Sequence, residues 1–244
     1  MMKDKINLFE DDKNPLDFLK QESQRGGDTP INDMLWDMCR LKYFRQDHIK
    51  YISPEYSRYC STEKLAGLVK IGFLKQFGDV YHYTDKTREY LHSKKYQTFL
   101  LQKTIPDGKG LKNEINNTEV IKDLFYHPQF HALFYPTFPP EGAPYIKPDA
   151  LVILNNREKR LYNLCFLEIE AHKEGWIDYL DEKKTRYLRL ANDEAVYNFW
   201  KHYAPKVGFP KPNIDTFSFS VVFICSIKRD WGEGFRFISS IEEL

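Results

Sequence analysis

Cysteine is scarce and unpatterned in this chain. The four residues Cys39, Cys60, Cys165 and Cys225 show no CxxC spacing, which argues against a disulfide framework and against a thiolate metal knot, and leaves reduced core thiols as the expectation. No stretch comes near the roughly 18 consecutive apolar residues that a membrane span needs. The opening MMKDKINLFEDDKN is charged where a signal peptide would be apolar, so a soluble, cytoplasmic protein is expected. An excess of charge of one sign is missing too. Lys and Arg number 36 against 35 Asp and Glu, for a formal net charge of +1. The chain is therefore no uniformly basic nucleic-acid coat, and any DNA contact has to come from a local patch.

What is present is 244 residues at 42% apolar content, enough for one large domain or two small ones, each with a core. Residues 1–30 are polar and read as a flexible arm. From residue 31 to about 95 the pattern is three short helices: NDMLWDMCRL with Asn32 as N-cap, YFRQDHIKYI, and STEKLAGLVKIGFL capped by Ser61. A short extended pair about Gly78-Asp79 and a helix start at Thr84 or Asp85 follow. Three helices and a hairpin is the winged-helix order, and LAGLVKIGFLKQFGDVYHYTDKTREYL resembles the end of many winged helix-turn-helix domains. Residues 31–95 carry 12 Lys and Arg against 8 Asp and Glu, a basic excess suited to phosphate contacts. Arg58, Lys64 and Lys70 flank or lie on the expected recognition helix, and Lys75, Lys86 and Arg88 lie near the wing. The polar segment 96–110, closing on PDGKG, reads as a linker.

Residues 111–244 read as a second domain of α-β-β-α-β order: a helix over 112–125, a Pro-rich extended run, the strand ALVIL, the turn NNREKR, the strand LYNLCFLEIE, a helix from about Trp176 to Tyr203, and the strand FSFSVVFICS. The expected class is α/β (α+β), a mixed sheet flanked by helices. Centring the hairpin on residues 155–160 sets Asp149 opposite Phe166 with Glu168 as its diagonal neighbour, and the period of two puts Glu168 and Glu170 on one side of their strand. Carboxylates gathered in this way repel and neutralise unless a cation shares the site. Hard oxygen donors select Mg²⁺ or Mn²⁺, with Asp149, Glu168 and Glu170 as ligands. Lys183 shares the apolar stripe of the following helix with Tyr187 and Leu190 and is the candidate fixed cation. Secondary candidates are Glu114 (with Glu119) on the opening helix, His131 (with His127, across Pro128) and His172 just past Glu170. Trp176 and Tyr179 are candidates for stacking on unpaired bases.

KPDALVIL…YNLCFLEIE resembles the core of the PD-(D/E)XK phosphodiesterase superfamily, in which an Asp on one strand and a (D/E)xK on the next build a metal site. Here Glu170 stands where that superfamily has its lysine, and Lys183 would have to replace it. The order of winged helix, PDA, ExE and a helical "K..RY" (Lys183, Arg186, Tyr187) is similar to the replication-relaxation group and the MOBC-class plasmid relaxases. That resemblance implies a restriction-endonuclease-like nuclease domain behind a winged helix and a metal-dependent nickase acting on one strand of a plasmid transfer origin. It also implies work alongside a type IV coupling protein and a transfer channel. Other relaxase classes use a His-hydrophobic-His triad and a nucleophilic Tyr. The chain has no HxH triplet, and its sixteen tyrosines nominate none of themselves. A non-catalytic regulator of plasmid replication and a restriction-type double-strand endonuclease remain as alternatives.

Overall fold

The computed structural model describes residues 29–98, 101, 111–135, 146–156, 161–170, 176–191, 194–207, 209, 211–214, 217–226 and 229–244. Nearly all of the expected arm, most of the expected linker and His172 lie outside the described residues. Chain contacts divide the molecule into two units. Residues 29–98 and 111–118 form the first, and residue 101 and residues 119–244 the second. The protein is mixed α/β, with a three-stranded sheet in the first unit and a five-stranded mixed sheet in the second.

Helix α1 (Thr29–Leu41) opens the first unit. It buries Met34, Leu35, Met38 and Leu41 as one stripe at helical spacing. Asn32 is not a cap. It sits inside the helix, 5% exposed, and its side-chain oxygen accepts the Tyr90 hydroxyl at 3.0 Å. The expected second helix is divided: Tyr43–Phe44 pair with a later strand as β1, and only Gln46–Ile52 are helical (α2). Helix α3 (Thr62–Lys70) has its expected cap, with the Ser61 hydroxyl accepting Lys64 N–H at 3.3 Å. Gly72 follows at φ +77°, a left-handed turn that costs glycine little. Strands β2 (Leu74–Phe77) and β3 (Val80–Tyr83) make the hairpin about Gly78. Strand β3 is central, giving the order β1-β3-β2. Helix α4 (Asp85–Ser93) begins after Thr84, whose hydroxyl donates to Gly72 O at 2.6 Å rather than capping the helix.

Helix α5 (Leu111–Ile121) ties itself to this small sheet. Thr118 Oγ1 donates to Tyr43 O at 2.6 Å, and Ile115 packs with Tyr43 and Val80. The first unit thus runs past residue 110 to Thr118. Tyr90→Phe should leave the Asn32 oxygen buried without its donor and lower the unfolding free energy by about 1–3 kcal/mol. Urea titration against wild type checks this, and an unchanged midpoint would refute the account.

In the second unit a 3-10 turn (Lys122–Tyr126) leads into β4 (Phe130–Phe134), β5 (Ala150–Asn156) and β6 (Leu161–Ile169), which pair antiparallel. Helices α6 (Trp176–Ala191) and α7 (Ala195–Tyr203) then cross to β7 (Ser220–Ile224), which lies parallel to β6 and is followed by β8 (Phe235–Ile238). The order is β4-β5-β6-β7-β8. A parallel neighbour demands a long crossover, and the two helices supply it. The helix expected over 176–203 is broken between α6 and α7. Strands β4 and β8 fall outside the expected order.

One row crosses all five strands: Phe134, Leu151, Phe166, Val221 and Phe235 are successive partners and so share a face. Helix α6 covers it through Tyr187, whose ring lies 5.5 Å from Phe166. Helix α7 covers it through Phe199, Trp200 and Tyr203 around Phe134. Phe166, Leu180 and Leu190 are fully buried, each contributing about 1.5–3 kcal/mol. Two residues further along the strands, toward the C-terminal end of β6, the same face changes from apolar to acidic.

Candidate active site

Strand β6 ends in Glu168-Ile169 with Glu170 directly after it, and alternation puts both glutamates on the α6 side with Phe166. The hairpin brings Asp149 to them, at a closer register than the sequence implies. Strand β5 runs on to Asn156, paired with Leu161, so the pairing moves by one residue on each strand. Ala150 faces Leu167, and Asp149 therefore stands level with Glu168 instead of on its diagonal. The backbone fixes it there: Asp149 N–H donates to Leu167 O at 3.1 Å, and Ile169 N–H donates to Asp149 Oδ2 at 2.8 Å.

Glu168 is 3% exposed and both its oxygens are engaged. Tyr187 donates its hydroxyl to Oε1 at 2.5 Å and Lys183 its ammonium to Oε2 at 2.5 Å. The same ammonium donates to Glu170 Oε1 and stands 5.0 Å from the centre of the Tyr179 ring. Lys183 and Tyr187 are one turn apart on α6, so a single helix face delivers both donors. Lys184 turns aside and lies over the Trp231 ring at 5.3 Å.

Burial pushes the Glu168 carboxyl up to about 7; Lys183 opposes the shift, Asp149 adds to it, and the hydrogen bonds from Lys183 and Tyr187 oppose it. Burial works against the Lys183 ammonium, yet attraction to Glu168 and Glu170 raises its pKa above the ordinary lysine value. Burial and Glu168 likewise hold the Tyr187 phenol well above its usual range. For Glu168 the folded pKa lies above the unfolded one, so its contribution to stability is full below about pH 4.5 and is lost as the pH rises through about 7. Wild type should lose stability across that window relative to Glu168→Gln. Parallel melting curves from pH 4.5 to 8 check the sign, and a constant difference would contradict the assignment.

As oxygen donors these residues fit a small, hard dication. Among the described residues no group of three His, Cys, Asp or Glu is placed to hold a metal ion. Glu168 and Glu170, both expected as ligands, each pair with the Lys183 ammonium, so a metal ion at either would share its carboxylate with that lysine. Asp149 and Glu168 stand level on adjacent strands, and Mg²⁺ commonly takes one or two carboxylates and fills its shell with waters and phosphate oxygens. The burden of negative charge that Asp149 adds to Glu168 is what such a cation offsets.

The other expected ligands have partners of their own. Glu114 lies in the first unit, where its Oε2 is 3.1 Å from the ammonium of buried Lys42. His131 is on the edge strand β4, its ring 4.4 Å from that of Phe209. It lies two strands from Glu168 and about 10 Å back along the strand from Phe134, so it does not join the cluster. Of the six basic residues expected at DNA, Arg58, Lys70 and Lys75 are exposed. The other three have work inside the fold. Lys64 donates to Arg58 O at 2.5 Å, Lys86 to Ile71 O at 2.8 Å, and Arg88 pairs with Asp85 at 2.9 Å. All four cysteines are buried and none is in a disulfide, and no described helix is long and apolar enough to cross a membrane.

Sequence reasoning missed the hydroxyl of Tyr187 as a partner of Glu168. Its helical spacing from Lys183 was the available signal. No family model and no curated protein matches the chain. Among solved structures, the restriction endonuclease FokI matches at 13% identity and a TM-score of 0.22, over 79% of this chain and 37% of that one. The chain thus spans well under half the length of that enzyme, and a likeness so slight carries neither fold nor function.

Proposed function

We propose that this chain is a metal-dependent DNA-nicking enzyme of the relaxase type, acting at a plasmid transfer origin. The observation that supports it best is Asp149 and Glu168 standing level on adjacent strands, with the Lys183 ammonium on Glu168 and Glu170. A lysine from the helix thereby fills the role that the PD-(D/E)XK pattern gives to position 170. Asp149 and Glu168 would hold Mg²⁺ or Mn²⁺, which when bound supplies Lewis-acid polarisation of a phosphoryl oxygen and an activated water. Lys183 contributes fixed positive charge for the phosphorane-like transition state. Tyr187 locks Glu168 in orientation. Water is the simpler nucleophile, since nothing singles out one of the sixteen tyrosines for attack.

In this reading the first unit is a winged helix that recognises DNA through the exposed Arg58, Lys70 and Lys75. A coupling protein of a transfer system would receive the nicked strand. A second reading, a DNA-binding regulator without catalysis, draws on the same ion bridge, since Lys183 already neutralises Glu168 and Glu170. Incubating supercoiled plasmid carrying its transfer origin with the full chain and Mg²⁺ or Mn²⁺ tests both. Open circles support nicking, linear product supports the restriction-type enzyme, and intact plasmid bound tightly without metal supports the regulator.

A further inference from the structure

Beside the carboxylate cluster, on the same sheet face, the polypeptide presents an aromatic surface that the nicking chemistry does not use. Phe223 is the direct β7 partner of Glu168, and Phe237 the direct β8 partner of Phe223. Their rings stack at 5.1 Å. Trp231 stands edge-on to both, at 5.2 and 4.8 Å, so only Phe223 separates Trp231 from Glu168. The turn that carries Trp231 is fixed: Gly232 N–H donates to Asp230 Oδ1 at 2.9 Å, and Val221 N–H to Gly234 O at 2.7 Å. Gly232 and Gly234 are both at positive φ. Trp231 is only partly buried. Over its ring lies the Lys184 ammonium at 5.3 Å, and Arg229, two residues before Trp231, pairs with exposed Asp181 at 3.4 Å.

We infer that Trp231 and Lys184 form a platform for single-stranded DNA next to the cleavage site, with an unpaired base stacking on the indole and a backbone phosphate on the ammonium. The inference rests on the nickase reading and narrows its substrate to a locally melted or single strand. A ring on a fixed turn, a cation beside it and a partly open edge strand is the combination that sequence-tolerant single-strand binding uses. A duplex keeps its bases stacked on one another and gains nothing from the indole. Trp231 is thus a binding residue that touches substrate but takes no part in the reaction.

Fluorescence anisotropy of the full chain in EDTA, with a labelled deoxythymidine oligomer and a duplex of equal length, tests this. Trp231→Ala should weaken single-strand binding about tenfold, Trp231→Phe should retain most of it, and duplex binding should not change. Lys184→Gln, which leaves the aromatic packing in place, should lower the salt slope for the single strand by about 0.7. Unchanged single-strand affinity in a Trp231→Ala protein with a wild-type melting curve overturns the inference, as does equal weakening toward both DNAs. Should Trp231→Ala fail to fold, an unchanged salt slope in Lys184→Gln overturns it. A wild type that nicks plasmid while these variants bind normally sinks the platform alone. A wild type that binds single strands through Trp231 yet leaves plasmid intact sinks the nickase alone.

Discussion

Lys183→Met should lower the unfolding free energy by about 3–5 kcal/mol at pH 8. The substitution keeps the methylene volume against Tyr179 and removes a hydrogen-bond donor from Glu170 and one of the two described donors from Glu168. Both carboxylates are at most 5% exposed, so water cannot replace the ammonium without opening the end of α6. The loss should shrink toward pH 5. There the folded protein can protonate Glu168, whose pKa is about 7 even with the lysine in place and must rise further without it. Urea unfolding at the two pH values measures both effects, and equal stability of variant and wild type at pH 8 would show that the bridge contributes nothing. Nicking should fall about 10²–10³-fold in the same variant, the cost of removing one fixed charge from a transition state.

Glu168→Gln separates stability from chemistry in the opposite direction. The amide preserves the shape of the side chain and accepts the Tyr187 hydroxyl through its oxygen, while the burial penalty on a charged carboxylate disappears. The protein should therefore melt at or above the wild-type temperature at pH 8. Nicking should nevertheless drop at least about 10³-fold, since an amide is a poor partner for a hard dication worth several kcal/mol to the transition state. Asp149→Ala should lose activity alike, and the loss should not be recovered in Mn²⁺. A Glu168→Gln protein that still opens supercoiled plasmid at the wild-type rate would remove this carboxylate from the chemistry.

The parts of this arrangement that were legible in the sequence are local. Apolar runs around a polar turn gave β5 and β6, and the period of two gave the shared face of Glu168 and Glu170. The spacing of Lys183, Tyr187 and Leu190 gave the buried stripe of α6, and Ser61 marked the start of α3. The hairpin register escaped by one residue on each strand because Asn155 and Asn156, which look like turn residues, pair with Tyr162 and Leu161. Strand β8 escaped because FRFI is short and its only partner is parallel β7, a pairing that no local pattern announces. Strand β1 is two residues long and exists because β3 offers Tyr81 and His82 as partners. Glu114, Lys64, Lys86 and Arg88 read as surface charges available to ligands. Their engagement with Lys42, Arg58 O, Ile71 O and Asp85 depends on tertiary placement and turn geometry that charge and spacing do not reveal.

The bridge from Lys183 makes this site depend on helical phase. A lysine two residues beyond a strand glutamate is aimed by the strand itself, whereas Lys183 is aimed by the rotation of α6 about its axis. One residue inserted between Lys183 and Tyr187 would turn the ammonium by about 100° relative to Tyr187 and carry it off Glu168. An insertion within 171–175 would leave the relative phase of Lys183 and Tyr187 intact. The four-residue step from Lys183 to Tyr187 is therefore the count that the site depends on.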